Sequence, residues 1–395
     1  MAATASQGDL LGLFGEHGPV DEPAGTFMDV GQELGLDDAL IAALAEMLDW
    51  GHAEPVTEAD VAMLRALTSA LTVGMPRDAL LQLVHVFTDA MDRLADAVVR
   101  TFHNYVHERM RAEGLVGEEL LEATDRIAKP MLELVEPTVS YFLRRAYRRA
   151  DSEDFLRHLV EETTPPAATP GEEEATVLFV DLASFTPLTL CMGDQVAAEV
   201  LSRFSATARS SATRYRGRIL KQIGDAFMLM FANPSDAIEF GLAMDRFIAA
   251  EPHHSALHIG AHCGTVLYRE GDYIGATVNL AARVASAGAA GQFLITEDLR
   301  DAVGHLSDAE FVPLQARRLK GIPNPIRVVE VRRHNPEPTS RETDPVCGML
   351  LHPDDVVARA TWRGMTFAFC SQKCQRAFTD DPDSFVTAGP QCGAT

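Results

Sequence analysis

Residues 218–231 read Arg218-Ile-Leu-Lys-Gln-Ile-Gly-Asp-Ala-Phe-Met-Leu-Met-Phe231. Two apolar runs meet at Gly224-Asp225, a pattern that is typical of two strands joined by a turn. The stretch therefore predicts a β-hairpin with Lys221 on its first strand and Asp225 on its turn.

Strand-like and helical runs alternate on both sides of this hairpin. Such alternation predicts an α+β fold in which a mixed sheet carries helices on one face. The predicted strands are 175–180, 219–223, 226–231, 257–262, 292–296 and 326–331, and the predicted helices are 195–215, 235–249 and 277–287.

A second carboxylate ends the first of these strands, in Phe179-Val-Asp-Leu-Ala-Ser-Phe-Thr186. Taken singly, Asp181 is a typical helix cap and Asp225 a typical turn residue. Adjacent strands would bring the two carboxylates together, and paired carboxylates are the ligands that Mg²⁺ or Mn²⁺ prefers. The joint pattern therefore predicts a divalent metal site.

Two further pairs complete a nucleotide site. Lys221 and Asp272 together offer a donor and an acceptor, which match the N1 and amino edge of adenine and oppose that of guanine. Asn279 and Arg283 stand four residues apart, on one face of the helix that starts near residue 277. A planar, always charged guanidinium suits the charge of a reacting phosphate. On spacing alone, each pair would be an ordinary surface pair.

In combination, these motifs resemble the class III nucleotidyl cyclases, over residues 173–331. The resemblance implies a ferredoxin-like core working as a head-to-tail homodimer. It also implies two Mg²⁺ or Mn²⁺ ions per site, held by one protomer, with the base-reading and Asn/Arg residues coming from the other. Lys221 and Asp225 would then serve opposite sites.

The same resemblance assigns the individual residues. Asn279 and Arg283 are catalytic, and Asp181, Asp225 and the backbone of Leu182 hold the metal ions. The implied substrate-binding residues are Lys221, Asp272, Phe185, Thr186, Thr277 and Lys320. The family usually has Gly where this chain has Ser184, a departure that bears on turnover.

The C-terminal part contains Asp344-Pro-Val-Cys-Gly-Met349 and Trp362-Arg-Gly-Met-Thr-Phe-Ala-Phe-Cys-Ser-Gln-Lys-Cys374, and resembles a YHS domain. Cys347, Cys370 and Cys374 fit a site for Zn²⁺ or Cu⁺, with Cys392 as a further candidate. A metal-responsive module and a purely structural one both remain open. A module of this size is expected to need a bound metal ion to stabilise its fold.

The N-terminal part shows helical periodicity, which predicts a regulatory and dimerisation domain of five to seven helices. A helix start is predicted at Thr57 and a break at Gly74-Met-Pro76. Thr57 to Phe87 also faintly resembles a MerR-type helix-turn-helix, although its few basic residues argue against DNA binding. The predicted divisions are an arm (1–30), the helical domain (31–162), a linker (163–174), the catalytic domain (175–331), a linker (332–343), the YHS-like domain (344–387) and a tail (388–395).

Composition restricts the classes of partner that the chain is expected to bind. The net charge of −23 argues against a general polyanion binder. Of the 34 Lys and Arg residues only four are lysines, and Lys221 and Lys320 fall inside the cyclase-like motifs. No apolar run approaches a membrane span, and no secretion signal is visible. Six cysteines are too sparse for a disulfide framework, so we expect a cytoplasmic location.

The sequence thus predicts a soluble, homodimeric adenylate cyclase that acts on ATP and does not bind nucleic acid. A guanylate cyclase is the nearest alternative, and the Lys221/Asp272 pair opposes it. A diguanylate cyclase would need a Gly-Gly-Asp/Glu-Glu-Phe hairpin, which is absent from the sequence. A catalytically silent nucleotide- or metal-sensing protein is the alternative from another class.

Overall fold

The structure, a computed structural model, describes residues 25–50, 56–161, 169–183, 185–250, 255–334 and 342–386. Several predictions fall outside these residues: most of the N-terminal arm, the first half of the linker 163–174, the middle of the linker 332–343, the tail 388–395, Ser184 and Cys392. The chain divides into two compact units, residues 1–166 and 167–395. No helix among the described residues is long and apolar enough to cross a bilayer.

The first unit is helical, as predicted. Its core buries Ile41, Leu44 and Leu64 completely. Thr57 caps a helix through a reciprocal box with Asp60, which confirms the predicted start. The described helices are α1 (Phe27–Glu33), α2 (Asp38–Met47), α3 (Glu58–Thr72), α4 (Arg77–Phe102), a π-helical turn (His103–His107), α5 (Glu108–Ala112) and α6 (Gly117–Glu161).

The second unit is built on a mixed sheet, which confirms the predicted fold class. Its strand order is β2-β3-β1-β4-β6-β8-β7, with β5 on β4, and among the described strands only β4 and β6 pair in parallel. The strands are β1 (Glu172–Leu182), β2 (Arg218–Ile223), β3 (Ala226–Phe231), β4 (Leu257–Arg269), β5 (Asp272–Ile274), β6 (Phe293–Thr296), β7 (Ala309–Pro313) and β8 (Val328–Arg333).

Strand β1 begins three residues earlier than the sequence predicts. Glu172, Glu173 and Glu174 have low strand propensity, yet they pair with Leu267, Val266 and Thr265 of β4. Pairing with a long neighbouring strand overrides local propensity, so β1 extends into the predicted linker.

Helices cover the two faces of this sheet unequally. The described helices are α7 (Phe185–Met192), α8 (Asp194–Arg214), α9 (Pro234–Ala250), α10 (Ala276–Ala287) and α11 (Glu297–Ala302). Phe204 of α8 and Phe240 of α9 share one core with Leu178 and Leu229, on the face that carries most of the helices, whereas the sequence predicted helices on one face only.

Helix α10 lies on the opposite face, where Ala281 packs with Val177 and Met228. It approaches so closely that a Cβ on Gly260 would lie 2.0 Å from the backbone nitrogen of Ala285. Glycine at position 260 therefore permits this packing. We call the sheet face that carries α10 the inner face.

The C-terminal module shares a core with the cyclase-like sheet. Val346, Met349, Phe369 and Phe378 are buried in the same cluster as Leu188 of α7. Its elements are β9 (Glu342–Thr343), β10 (Leu350–Leu351), β11 (Ala358–Trp362), β12 (Met365–Phe369) and α12 (Gln372–Asp380). The module is thus part of the second compact unit and is packed against α7.

Candidate active site

A β-bulge in the hairpin decides which way Lys221 points. Ile219 pairs with Leu229 and Lys221 pairs with Met228, so Leu220 has no partner of its own. Side chains alternate along a strand, and without the bulge Lys221 would lie on the same face as Ile219. The extra residue shifts Lys221 to the inner face, together with Met228.

The turn that carries Asp225 is held in place by a side chain of strand β2. Gly224 has a φ of 61°, which glycine adopts at no steric cost. The Gln222 side chain donates to the Gly224 carbonyl at 3.1 Å and accepts from Arg209 of α8 at 3.2 Å. Sequence analysis missed Gln222, because its role depends on a helix that is distant in sequence.

Asp181 and Asp225 come together as predicted. Burial, and next the charge of the hydrogen-bonded Asp225, raise the pKa of Asp181 to about 7. Asp181 Oδ1 is buried and has no hydrogen-bond partner among the described residues. A buried, unpaired carboxylate oxygen beside a second carboxylate fits a divalent cation, which would supply the missing charge compensation.

The raised pKa of Asp181 leads to a testable pH dependence. Below about pH 7 the carboxyl is protonated, so a metal ion must displace that proton to bind. Mn²⁺ affinity, measured by electron paramagnetic resonance, should therefore fall about tenfold per pH unit below that value and level off above it. Asp181→Asn should abolish this dependence and Asp301→Asn, at an exposed position, should keep it. An affinity that is constant over this range would contradict the assignment.

Lys221 and Asp272 form an ion pair across the inner face, although they are 51 positions apart in sequence. Both side chains remain about two-fifths exposed, so the pair is open to a ligand. Tyr273 is buried beside it, and its hydroxyl accepts from Arg218. Sequence analysis missed Tyr273, a buried residue that supports this part of the inner face.

Asn279 and Arg283 lie on the exposed face of α10, as the spacing predicts. Neither side chain has a hydrogen bond or ion pair within the parts of the chain that the structure describes. Thr277 is buried on the other side of the helix, and its hydroxyl donates to the Thr265 carbonyl at 2.7 Å. Its observed contact therefore holds α10 against β4.

The remaining predicted substrate residues lie apart from these pairs. Phe185 and Thr186 form the first turn of α7, directly after the metal-site strand β1. Phe185 packs against the core and Thr186 is exposed. Lys320 is exposed on the loop between β7 and β8. No contact in the described residues joins Lys320 to Asp181 or Asp272.

The three cysteines also converge. Cys347 Sγ and Cys374 Sγ each lie 3.5 Å from Cys370 Sγ. The buried carboxylate of Asp344 accepts from the backbone nitrogens of Val346 at 2.9 Å and Cys370 at 2.8 Å, so it fixes two of the cysteine-bearing loops. The three sulfurs and an Asp344 oxygen all lie within 4.8 Å of one another.

The chemistry of this cluster fits a thiophilic cation. Hydrogen bonds from the other two sulfurs, and then burial, raise the pKa of the Cys347 thiol far above its usual range. Cys347 therefore stays protonated at neutral pH unless a cation compensates the thiolate charge. Zn²⁺ or Cu⁺ would provide that compensation.

Comparison with known proteins agrees with this geometry. Residues 168–328 match the adenylate and guanylate cyclase catalytic domain, and residues 343–389 match the YHS domain. An uncharacterized protein of Mycobacterium tuberculosis is 29% identical over 359 residues, which cover 87% of this chain and 88% of that protein. A protein of Streptomyces coelicolor named adenylate cyclase is 29% identical over 241 residues, 60% of each chain.

Among solved structures, the adenylyl cyclase CyaB from P. aeruginosa aligns with 41% of this chain and 94% of its own, at 22% identity and a TM-score of 0.37. The family match identifies a class III nucleotidyl cyclase catalytic domain, and the paired carboxylates and the exposed α10 residues are compatible with it. This chain carries that domain between an N-terminal helical region and a C-terminal YHS domain.

Proposed function

We propose that this chain is an adenylate cyclase that converts ATP into 3′,5′-cyclic AMP and pyrophosphate. The observation that carries the proposal is the Lys221–Asp272 ion pair, which stands open on the inner face of the sheet. The relative from Streptomyces coelicolor that is named adenylate cyclase supports the same choice.

The Lys221–Asp272 pair would recognise the adenine base. The Lys221 ammonium donates to N1 of adenine, and the Asp272 carboxylate accepts from its exocyclic amine. Guanine presents a donor at N1 and an acceptor at its carbonyl, and so leaves both groups unpaired. Each unpaired group costs roughly 1–3 kcal/mol, which is enough to favour ATP over GTP.

The reaction joins the ribose 3′-oxygen to the α-phosphorus and breaks the bond between that phosphorus and the bridging oxygen of pyrophosphate. Asp181, Asp225 and the Leu182 carbonyl would hold two Mg²⁺ or Mn²⁺ ions, which when bound activate the hydroxyl and spread the phosphate charge. Arg283 donates to the oxygens of the reacting phosphate, and Asn279 orients the ribose. The exposed first turn of α7, with Phe185 and Thr186, would border the triphosphate.

The complete site is proposed to form between two copies of the chain. Asn279 and Arg283 are exposed on α10 and have no partner in their own described residues, which leaves them free to meet a second protomer. The helical domain would add to this dimer, because α4 and α6 expose large apolar side chains such as Phe87, Tyr141 and Phe142. The helical domain and the YHS domain would then regulate turnover. The three cysteines of the cluster are thiols and form no disulfide, which fits a reducing, cytoplasmic setting.

The direct test measures cyclic AMP and cyclic GMP made by purified full-length protein with Mn²⁺ and ATP or GTP. We expect cyclic AMP from ATP. Lys221→Met removes the donor to N1 and should lower kcat/KM for ATP roughly 10- to 100-fold, and so reduce the preference over GTP. Lys129→Met, on an exposed helix position, serves as the control. A larger kcat/KM for GTP would favour a guanylate cyclase, and no product from either nucleotide would favour a silent sensor.

A further inference from the structure

The loop that carries Cys347 is linked through Ala256 to Ala183, which lies two residues after Asp181. The Gly348 carbonyl accepts from the Ala256 nitrogen at 3.1 Å, and the Ala256 carbonyl accepts from the Ala183 nitrogen at 2.7 Å. Two backbone hydrogen bonds therefore connect Gly348, the neighbour of Cys347, with Ala183, the residue that follows Leu182.

The helix that carries Cys374 contacts α7. The ammonium of Lys373, on α12, donates a hydrogen bond to the Leu190 carbonyl in the last turn of α7. Between these two anchors, Leu188 is fully buried in the core that α7 shares with Met349 and Phe378. Ala183 and helix α7 are thus each linked to the cysteine cluster.

A bound metal ion would hold the three segments that carry the cysteines at fixed positions relative to one another. The ligands come from the Cys347 loop, from the end of β12 at Cys370 and from the first turn of α12 at Cys374. Tetrahedral thiolate ligation holds sulfur atoms roughly 3.8 Å apart at fixed angles, whereas neutral thiols share only weak hydrogen bonds. Loading therefore fixes the loop and the helix relative to each other.

We infer that a thiophilic metal ion held by Cys347, Cys370 and Cys374 is an allosteric effector of the divalent-metal site at Asp181, acting through Ala183 and helix α7. Asp344 positions the cysteine loops and is not required to touch the ion. That this coupling controls cyclic nucleotide synthesis rests on the proposed function. The coupling itself is a relation between two metal sites and can be measured without turnover.

The test uses the full-length chain, stripped with a chelator and then loaded with Cd²⁺. Bound Cd²⁺ is counted after desalting, and the cadmium–thiolate absorption band reports its ligands. Mn²⁺ affinity at the Asp181 site is then measured by electron paramagnetic resonance with and without Cd²⁺. We expect one Cd²⁺ per chain and a change in Mn²⁺ affinity of about fivefold or more.

Two variants make the test specific. Cys347→Ser should lose the bound Cd²⁺, whereas Cys263→Ser, at a cysteine on β4 outside the cluster, should keep it. Lys373→Met leaves all three sulfurs in place but removes the contact to Leu190. It should bind Cd²⁺ normally and show a smaller change in Mn²⁺ affinity.

Each result decides the inference. Absence of thiolate-bound Cd²⁺, or Cd²⁺ binding with no change in Mn²⁺ affinity, would overturn it. An equal change in wild type and Lys373→Met would overturn the route through α7. If no protein makes a cyclic nucleotide but Cd²⁺ still changes Mn²⁺ affinity, the proposed function fails and the coupling stands.

Discussion

Asp225→Asn should lower cyclic AMP formation roughly a thousandfold, the loss expected when several kcal/mol of metal-ion stabilisation disappear from the transition state. The substitution keeps the shape of the side chain on the hairpin turn but removes the charge that faces Asp181. One carboxylate cannot hold two divalent ions as the pair is proposed to do. The measurement is the initial rate with Mn²⁺ and ATP at saturating substrate.

The hairpin itself should survive this change, because Gln222 and not Asp225 braces the Gly224 carbonyl. Thermal unfolding and dimer content should therefore match those of the wild type. Asp301→Asn, at an exposed position on α11, removes the same charge elsewhere and should leave the rate unchanged. Activity of Asp225→Asn within tenfold of the wild-type rate would argue against a metal role for Asp225.

The second large effect is recovery of activity from two inactive proteins. Asp225→Asn and Arg283→Ala should each be nearly inactive alone, because each damages both sites of its homodimer. A heterodimer of the two contains one site with both defects and one intact site, if aspartates and arginine come from different protomers. Equal coexpression with random pairing should then give about one quarter of the wild-type activity.

A matched mixture tests the geometry behind this prediction. Asp181→Asn and Asp225→Asn affect carboxylates that lie together in one protomer, so each heterodimer site keeps only one of them. This mixture should remain inactive. Recovery in both mixtures, or in neither, would contradict a site that is divided as proposed.

The hairpin and the spacing motifs could be predicted from the sequence because they rest on local chemistry. Gly224-Asp225 is a turn signal that needs no distant partner, and the spacing of Asn279 and Arg283 alone puts them on one helix face. The Thr57 cap is equally local. The sequence motifs also named both carboxylates and all three clustered cysteines.

Other features depended on strand register and long-range packing. Periodicity predicts that side chains alternate, but a bulge at Leu220 reverses the face of everything after it, and only pairing with β3 reveals that bulge. The placement of α10 on the inner face likewise depends on its close approach to Gly260.

Residue type and local spacing were enough to identify the candidate donors, acceptors and metal ligands, because these properties are local to each motif. Tertiary structure alone decided that Lys221 meets Asp272, that Asp181 is buried enough to hold a proton near neutrality, and that the cysteine cluster shares a core with α7. These outcomes depend on contacts between segments far apart in the chain, where packing and desolvation are set by the whole fold.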